Sequence, residues 1–384
     1  MSEHHQRIET QLVHAGEPLP RIAGAVEMPI FQSATYEYEG EGSYHDVRYL
    51  RINNTPSQQA LHAKLAVLEG AEAALVTASG MAAISTTLLS VLSPGDHLLA
   101  QRCLYGGTHH LVTAELVRLG IGYDFIDADR PGSWQAQLRP NTRAIYVEAM
   151  SNPLLEVADL EAVVQFARAH ALVSLIDNTL ATPVNYRPLA AGFDLCLHSA
   201  TKYLNGHSDI VAGAVAGDAA MIERIRHRAN HFGGSLDAHA AFLLKRGLKT
   251  LALRVRYQND SALRLAQFLE SHAEVARVNY PGLESHPRHA RARRLFAGCG
   301  GVLSFELKGP PGRADEFASR VTLPIVAPSL GGVHTLLTRP ATTSHAGLSR
   351  EDRLGLGISD GLLRLSVGIE ATEDLLEDLR QALQ

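Results

Sequence analysis

An α/β fold, with a mainly parallel sheet flanked by helices, is what this 384-residue sequence predicts. Three observations carry the expectation. Short apolar runs bounded by turn residues alternate with helix-period segments from about Ser57 to Gly217. The runs are continuously apolar rather than alternating, the mark of strands buried on both faces, as in parallel sheets. With 46% hydrophobic and 20% charged residues, the chain can form a large core.

The elements follow in order. Residues 1–56 lack a period and are broken by Gly16, Pro18, Pro20, Gly24, Pro29, Gly40 and Gly42, so they read as an extended arm laid across another surface. Met1 to Thr10 is polar and lacks the apolar centre of a signal peptide. Gln58 to Leu68 is helical, with Leu61, Leu65 and Leu68 on one face. Ala73 to Leu92 is uncharged and as long as a membrane span, but Thr77-Ala78-Ser79-Gly80-Met81 divides it into a strand, a glycine turn and a helix. Gly95 to Ala100 is a strand, and Thr108 to Leu119 is a helix stopped by Gly120. Strand Thr142 to Glu148 and helix Leu160 to His170 come next, then strands Val173 to Asp177 and Asp194 to His198. Helices are expected over Ala219 to Phe232 and Ala238 to Leu269. Strands at Gly301 to Leu307 and Leu362 to Gly368, with a terminal helix from Thr372, complete a smaller α/β unit. The expected organisation is an arm over 1–56, a large domain over 57–250 and a C-terminal domain over 251–384.

Bulk properties exclude several classes. A formal net charge of −5 gives no electrostatic reason for nucleic-acid binding. Cys103, Cys196 and Cys299 are far apart and lack metal spacing, so reduced thiols in a cytoplasmic enzyme are expected. Among the nineteen histidines, His227 and His231 lie four apart on a helix, but no acid sits between them, and a solvated face explains them better than a metal site.

Lys202 is one of five lysines and lies in Ser199-Ala200-Thr201-Lys202-Tyr203, among small hydroxyl residues after an apolar run. A lysine so placed suits pyridoxal phosphate (PLP), whose aldehyde it can engage and for whose substrate it can carry protons. Twenty-five positions earlier, Asp177 ends a buried strand, where a carboxylate suits a protonated pyridine nitrogen; a turn or cap role is the competing reading. Ser79, Gly80 and Met81 form a strand-to-helix turn fit for a phosphate, with ordinary strand–helix packing as the competing reading. Tyr105 follows the next strand, where it could lie on a flat ring. Tyr49 and Arg51 put a phenol and a guanidinium on one side of the extended arm, a pair suited to a phosphate on a partner chain; a solvent-facing Arg is the competing reading. Arg364 lies inside an apolar strand, where it needs a partner: a substrate carboxylate or a structural acid.

Assembled, these motifs resemble the Cys/Met-metabolism (transsulfuration) family of fold-type-I PLP enzymes, which includes cystathionine γ-lyase, β-lyase and γ-synthase. Ser199 to Asp209, Asp177-Asn178-Thr179, Ser79-Gly80-Met81, Tyr105-Gly106-Gly107-Thr108 and Ser329-Leu330-Gly331-Gly332 carry the resemblance in the family's order. It implies that Lys202 binds PLP and moves protons, that Asp177 pairs with the ring nitrogen and that Tyr105 stacks on the ring. Ser79, Gly80, Met81, Thr179, Ser199 and Thr201 would complete the cofactor contacts, with Tyr49 and Arg51 coming from a neighbouring subunit. Arg364 would hold the substrate α-carboxylate beside Asn152 and Ser329, and His334 would face the distal part of the substrate. A homotetramer built of catalytic dimers is implied as well.

The chain departs from the family pattern in places. Asn54-Thr55-Pro56 replaces Asn-Pro-Thr after the arm, His110 stands where many relatives have Arg, and His334 stands where γ-lyases and γ-synthases have Glu. Gly107 replaces the Cys typical of methionine γ-lyases. The resemblance implies a carbon–sulfur lyase acting on L-cystathionine, with γ-elimination ahead of β-elimination and γ-replacement as the runner-up. A non-catalytic PLP carrier and a histidine-based metal hydrolase rank below these.

Overall fold

Seven strands form the larger sheet of the computed structural model, which describes residues 6–384. They are β1 (Ala73–Thr77), β2 (His97–Gln101), β3 (Gly122–Ile126), β4 (Thr142–Glu148), β5 (Val173–Asp177), β6 (Leu195–His198) and β7 (Gly213–Gly217). Their order is β1-β7-β6-β5-β4-β2-β3. All neighbours are parallel except β7, which runs antiparallel to both β1 and β6. One face packs Ile145, Val147, Ile176 and Cys196 into the main core; the other packs Leu98, Tyr146, Leu175 and Leu197 under the helix Gly80–Val91. Helices on both faces leave ligands only the carboxyl ends of the strands, where β4 and β5 deliver Glu148 and Asp177.

A second sheet contains β8 (Val275–Asn279), β9 (Val302–Leu307), β10 (Ile325–Val326), β11 (Leu336–Thr338) and β12 (Leu362–Ser366), in the order β10-β11-β12-β9-β8. Arg364 sits on β12, opposite Thr338 and Ser304.

Several expectations needed revision. The stretch from Ala238 to Leu269 is not one helix: it divides into Ala238–Leu248 and Leu251–Ser271, with Lys249 and Thr250 at the joint. The helix expected over Thr108 to Leu119 starts at Gly106 and widens into a π-turn at Leu111–Glu115. Strands β3 and β7 escaped the sequence reading: β3 is a half-buried edge strand, and β7 is built of Gly, Ala and one Val. Thr55-Pro56, in the altered arm motif, starts the helix Pro56–Glu69, where the Thr55 N–H and hydroxyl both donate to Gln58 Oε1. No described helix is long and apolar enough to cross a membrane. Of the arm, Met1–His5 lies outside the described residues.

One salt-bridged cluster and a buried lysine hydrogen bond hold the described part of the arm. Lys245 Nζ lies 2.7 Å from Glu17 Oε2, and Lys249 reaches both Glu17 and Glu27. Lys64 Nζ donates to the Leu12 carbonyl at 2.9 Å, and burial among these cations pulls its pKa down to about 8. With Glu17 and Lys245 side chains 6% and 5% exposed, the pair is buried. Glu17→Gln would leave the lysines without their shared acid, a loss of about 3 kcal/mol. We expect it to release the arm to limited proteolysis well before the sheet core is cut.

Candidate active site

The cleft between the two sheets has a volume of about 670 Å³. Its lining includes Ser79, Gly80, Met81, Tyr105, Asn152, Asp177, Thr179, Ser199, Thr201, Lys202, Ser329 and Arg364. Twelve of the fifteen residues singled out from sequence therefore meet in one place, from segments far apart in the chain.

Each is positioned by its element. Ser79 caps the helix Gly80–Val91, its Oγ accepting from the Ala82 N–H at 3.0 Å. A Cβ on Gly80 would lie 2.8 Å from Ser199 Cβ and 2.9 Å from its Cα, so only glycine lets this turn close on Ser199. The gap it preserves is lined by free N–H groups of a helix start and by two hydroxyls, the donor set of a phosphate cradle. Thr201 is pinned to Ala212 by two hydrogen bonds, 3.1 Å to its carbonyl and 3.0 Å from its N–H.

Asp177 ends β5 and its Oδ1 accepts from the Thr179 N–H at 2.9 Å. Thr179 Oγ1 in turn accepts from the Ser199 N–H at 2.8 Å, which ties the acid to the lysine segment. Burial pushes the Asp177 carboxyl up, opposed by hydrogen bonds from Thr179 and by the nearby His198. Among the described residues no cation pairs with it, so it is an acid open to a cationic ligand.

Lys202 Nζ donates to Ser329 Oγ at 2.7 Å. Ser329 has φ of +91°, a conformation L-residues rarely adopt, and its carbonyl accepts from Arg364 Nη2 at 2.6 Å. Arg364 Nη1 donates to Asn152 Oδ1 at 3.0 Å, and its buried Nε has no partner. Arg364 is thus an unneutralised guanidinium aimed into the cleft. Burial, and then its charge, pull the Lys202 pKa down to about 8. Below that value the amine is an ammonium; above it the lone pair is free. Uptake of PLP by the cofactor-free protein should therefore accelerate about tenfold per pH unit up to about pH 8 and then level off. Stopped-flow absorbance in the visible range reads this directly. A plateau delayed to about pH 10, as for a solvated lysine, would contradict it.

Tyr105 stands at the mouth of the cleft, 44% exposed. A Cβ at Gly107 would come 2.7 Å from its Cε1, so the absent side chain sets where the ring rests.

Three of the fifteen are elsewhere. Tyr49 and Arg51 are exposed and away from the cleft of their own chain, with Arg51 Nη1 donating to the Asn230 carbonyl at 2.7 Å. His334 is exposed and does not line the cleft; the Val333 N–H beside it is held by the Gly206 carbonyl at 2.9 Å. His110 is also exposed, 4.0 Å from Glu115. His227 and His231 form no metal cluster; His227 stacks on His45 at 3.8 Å and meets Glu223 at 2.6 Å. Among the described residues Glu69, Cys196 and His198 alone group three metal-type ligands, all deep in the core, with His198 2.6 Å from Glu69. Sequence reasoning missed Glu148, Met150, Val211, Thr343 and Ser344 in the lining. Of these only Glu148 left a signal, an acid closing an apolar strand as Asp177 does.

A buried acid without a cation, a softened lysine, a phosphate cradle and an unneutralised guanidinium fit PLP with an amino-acid substrate. These features, on this fold, define a PLP-dependent enzyme acting on amino acids. Comparison with known proteins agrees. Residues 9–384 match the model of the Cys/Met metabolism PLP-dependent enzymes, and the chain belongs to that family. It is 42% identical to a cystathionine β-lyase of Lactococcus lactis subsp. cremoris over 378 residues, 98% of this chain and 99% of the relative. It is also 42% identical to a cystathionine γ-lyase of Bacillus subtilis over 377 residues, again 98% and 99%. The crystal structure of a cystathionine γ-synthase from Xanthomonas oryzae pv. oryzae superposes with a TM-score of 0.94 at 39% identity, covering 98% of both chains.

Proposed function

We propose that this protein is a carbon–sulfur lyase that cleaves L-cystathionine by γ-elimination to 2-oxobutyrate, ammonia and cysteine. The observation that carries the reading is the meeting of Lys202, Asp177 and Arg364 in one cleft, the lysine amine tethered to Ser329. Asp177 would hold the pyridine nitrogen, Tyr105 the ring face, and Ser79, Gly80, Met81, Ser199 and Thr201 the phosphate. Thr179 would steady Asp177. PLP, when bound, supplies an electron sink for the pair left at the substrate Cα.

The chain's own residues do the rest. Arg364, with Asn152 and Ser329 beside it, holds the α-carboxylate and so orients the Cα–H bond toward Lys202. Lys202 takes that proton, and its four-carbon stem lets the same nitrogen reach Cβ, from which γ-elimination must also remove a proton. The Cγ–S bond breaks, cysteine leaves with one of the two protons and the other is delivered to Cγ; one water is consumed as ammonia and 2-oxobutyrate are released. γ-Elimination asks the amine to serve both Cα and Cβ, and a single hydrogen bond to Ser329 leaves it free to move between them. The second reading, β-elimination, is supported by the equally similar Lactococcus relative.

We further propose that Tyr49 and Arg51 of the partner subunit complete each phosphate site, that the assembly is a homotetramer and that it works in the cytoplasm, where Cys103, Cys196 and Cys299 stay reduced. The three units 1–56, 57–250 and 251–384 would serve as dimer arm, cofactor domain and substrate-closing domain.

The test is to incubate the PLP-loaded protein with L-cystathionine and identify the keto acid. 2-Oxobutyrate with cysteine is expected. Pyruvate with homocysteine makes it a β-lyase. Neither acid, from a visibly yellow protein, overturns the lyase reading in favour of γ-replacement on a homoserine ester.

A further inference from the structure

We propose that Glu148 is a positioning residue of the cofactor cleft: its carboxyl fastens the loop carrying Tyr105 to the strand end beside Asp177, fixing the spacing between ring-facing phenol and acid. The proposal rests on the reading of the cleft as the PLP site.

Glu148 and Asp177 are register partners at the ends of β4 and β5, so their side chains project from the same face of the sheet. Glu148 Oε1 accepts from the Tyr105 N–H at 2.7 Å, across 43 positions of chain. Its own N–H donates to Gln101 Oε1 at 2.8 Å, at the end of β2, the neighbouring strand on the other side. One residue thereby ties three segments: the end of β2, the end of β4 beside Asp177, and the start of the turn that carries Tyr105. The Ser344 carbonyl lies where a Cβ on Gly106 would stand, so the C-terminal half of the chain closes on the same turn.

An acid is an unusual choice for this duty. Glu148 is 5% exposed and has no ion-pair partner among the described residues. Burial, and then the charge of Asp177, push its carboxyl well above the ordinary range, which favours its neutral form. A neutral carboxyl in that place acts through its carbonyl oxygen as a hydrogen-bond acceptor. An amide supplies the same acceptor in the same position, and that equivalence makes the role testable.

Three variants of the full-length protein, Glu148→Gln, Glu148→Ala and Glu148→Asp, separate the alternatives. For each, PLP affinity is measured by equilibrium dialysis, and the visible circular dichroism is recorded per bound cofactor. That signal reports the asymmetric placement of aromatic and acid around the ring, which a change in bulk stability alone leaves unmoved. Thermal unfolding of the cofactor-free proteins provides the stability control. Glu148→Gln is expected to match the parent within about twofold in affinity and in dichroism. Glu148→Ala, which deletes the acceptor, and Glu148→Asp, which withdraws it by one methylene, are expected to weaken PLP binding about fivefold and to lower the dichroic signal. Parent-like affinity and dichroism in Glu148→Ala and Glu148→Asp would overturn the proposal while leaving the cofactor site intact. So would a Glu148→Gln protein as impaired as Glu148→Ala, because the charge or the proton would then be what matters. A parent protein that takes up no PLP would overturn the reading of the cleft, and this proposal with it.

Discussion

Lys202→Ala is expected to reduce turnover of L-cystathionine by about ten thousand-fold while leaving the fold intact. The argument is chemical before it is structural. The cleft contains one amine, and burial and Arg364 bring its pKa down to about 8. On the proposed reading Glu148 holds the Tyr105 turn and Asp177 pairs with the ring nitrogen, so neither replaces Lys202 as the base at Cα. Arginine would not rescue the function, because a guanidinium stays protonated at any working pH. Removing a partly buried amine whose ammonium form is disfavoured costs little stability, so the melting temperature of Lys202→Ala should equal or exceed that of the parent. The measurement is single-turnover keto-acid formation alongside calorimetry. Residual turnover within tenfold of the parent would place the base elsewhere.

Arg364→Ala should have the second largest effect. Arg364 is 3% exposed, and two of its nitrogens are already spoken for by Asn152 and the Ser329 carbonyl, which aim the rest of the fork at the cleft. A charge-assisted hydrogen bond to a carboxylate contributes about 1.5–3 kcal/mol, equivalent to about tenfold to 150-fold in kcat/KM. The loss should fall mainly on KM, since the carboxylate is held in both the ground and transition states. Arg364→Lys should recover little, because an ammonium cannot hold Asn152 and Ser329 and still present a planar fork. A substrate analogue lacking the α-carboxylate provides the check. The parent and Arg364→Ala should handle it equally poorly, and a persisting difference between them would assign Arg364 another role.

Much of this site was legible before any coordinates. Strands β4 and β5 have the bounds their apolar runs predict, Thr142–Glu148 and Val173–Asp177, because strands buried on both faces leave no ambiguity of period. The lysine segment, the glycine turn at Ser79-Gly80-Met81 and Arg364 stood out because each breaks a local rule of packing. Strand β3, Gly-Tyr-Asp-Phe-Ile, was missed because an edge strand half open to solvent mixes polar and apolar residues without clean alternation. The break at Lys249–Thr250 was missed because it has no proline or glycine at the joint itself and both flanks keep helical periodicity. Glu148 and Ser344 were missed for a different reason. Their importance comes from what they touch across the fold, the Tyr105 N–H and Gly106, and no local pattern records such contacts.

Ser329 spends its side chain on the Lys202 amine and its carbonyl on the Arg364 guanidinium, both at once and both from a strained conformation. A shift of this one residue moves acceptor and anchor together. Evolution therefore cannot retune the two through this loop independently. Across a set of substitutions at the neighbouring Pro328 and Leu330, log kcat and log KM should fall along a single line, whereas variants at Asn152, which touches only the anchor, should scatter off it.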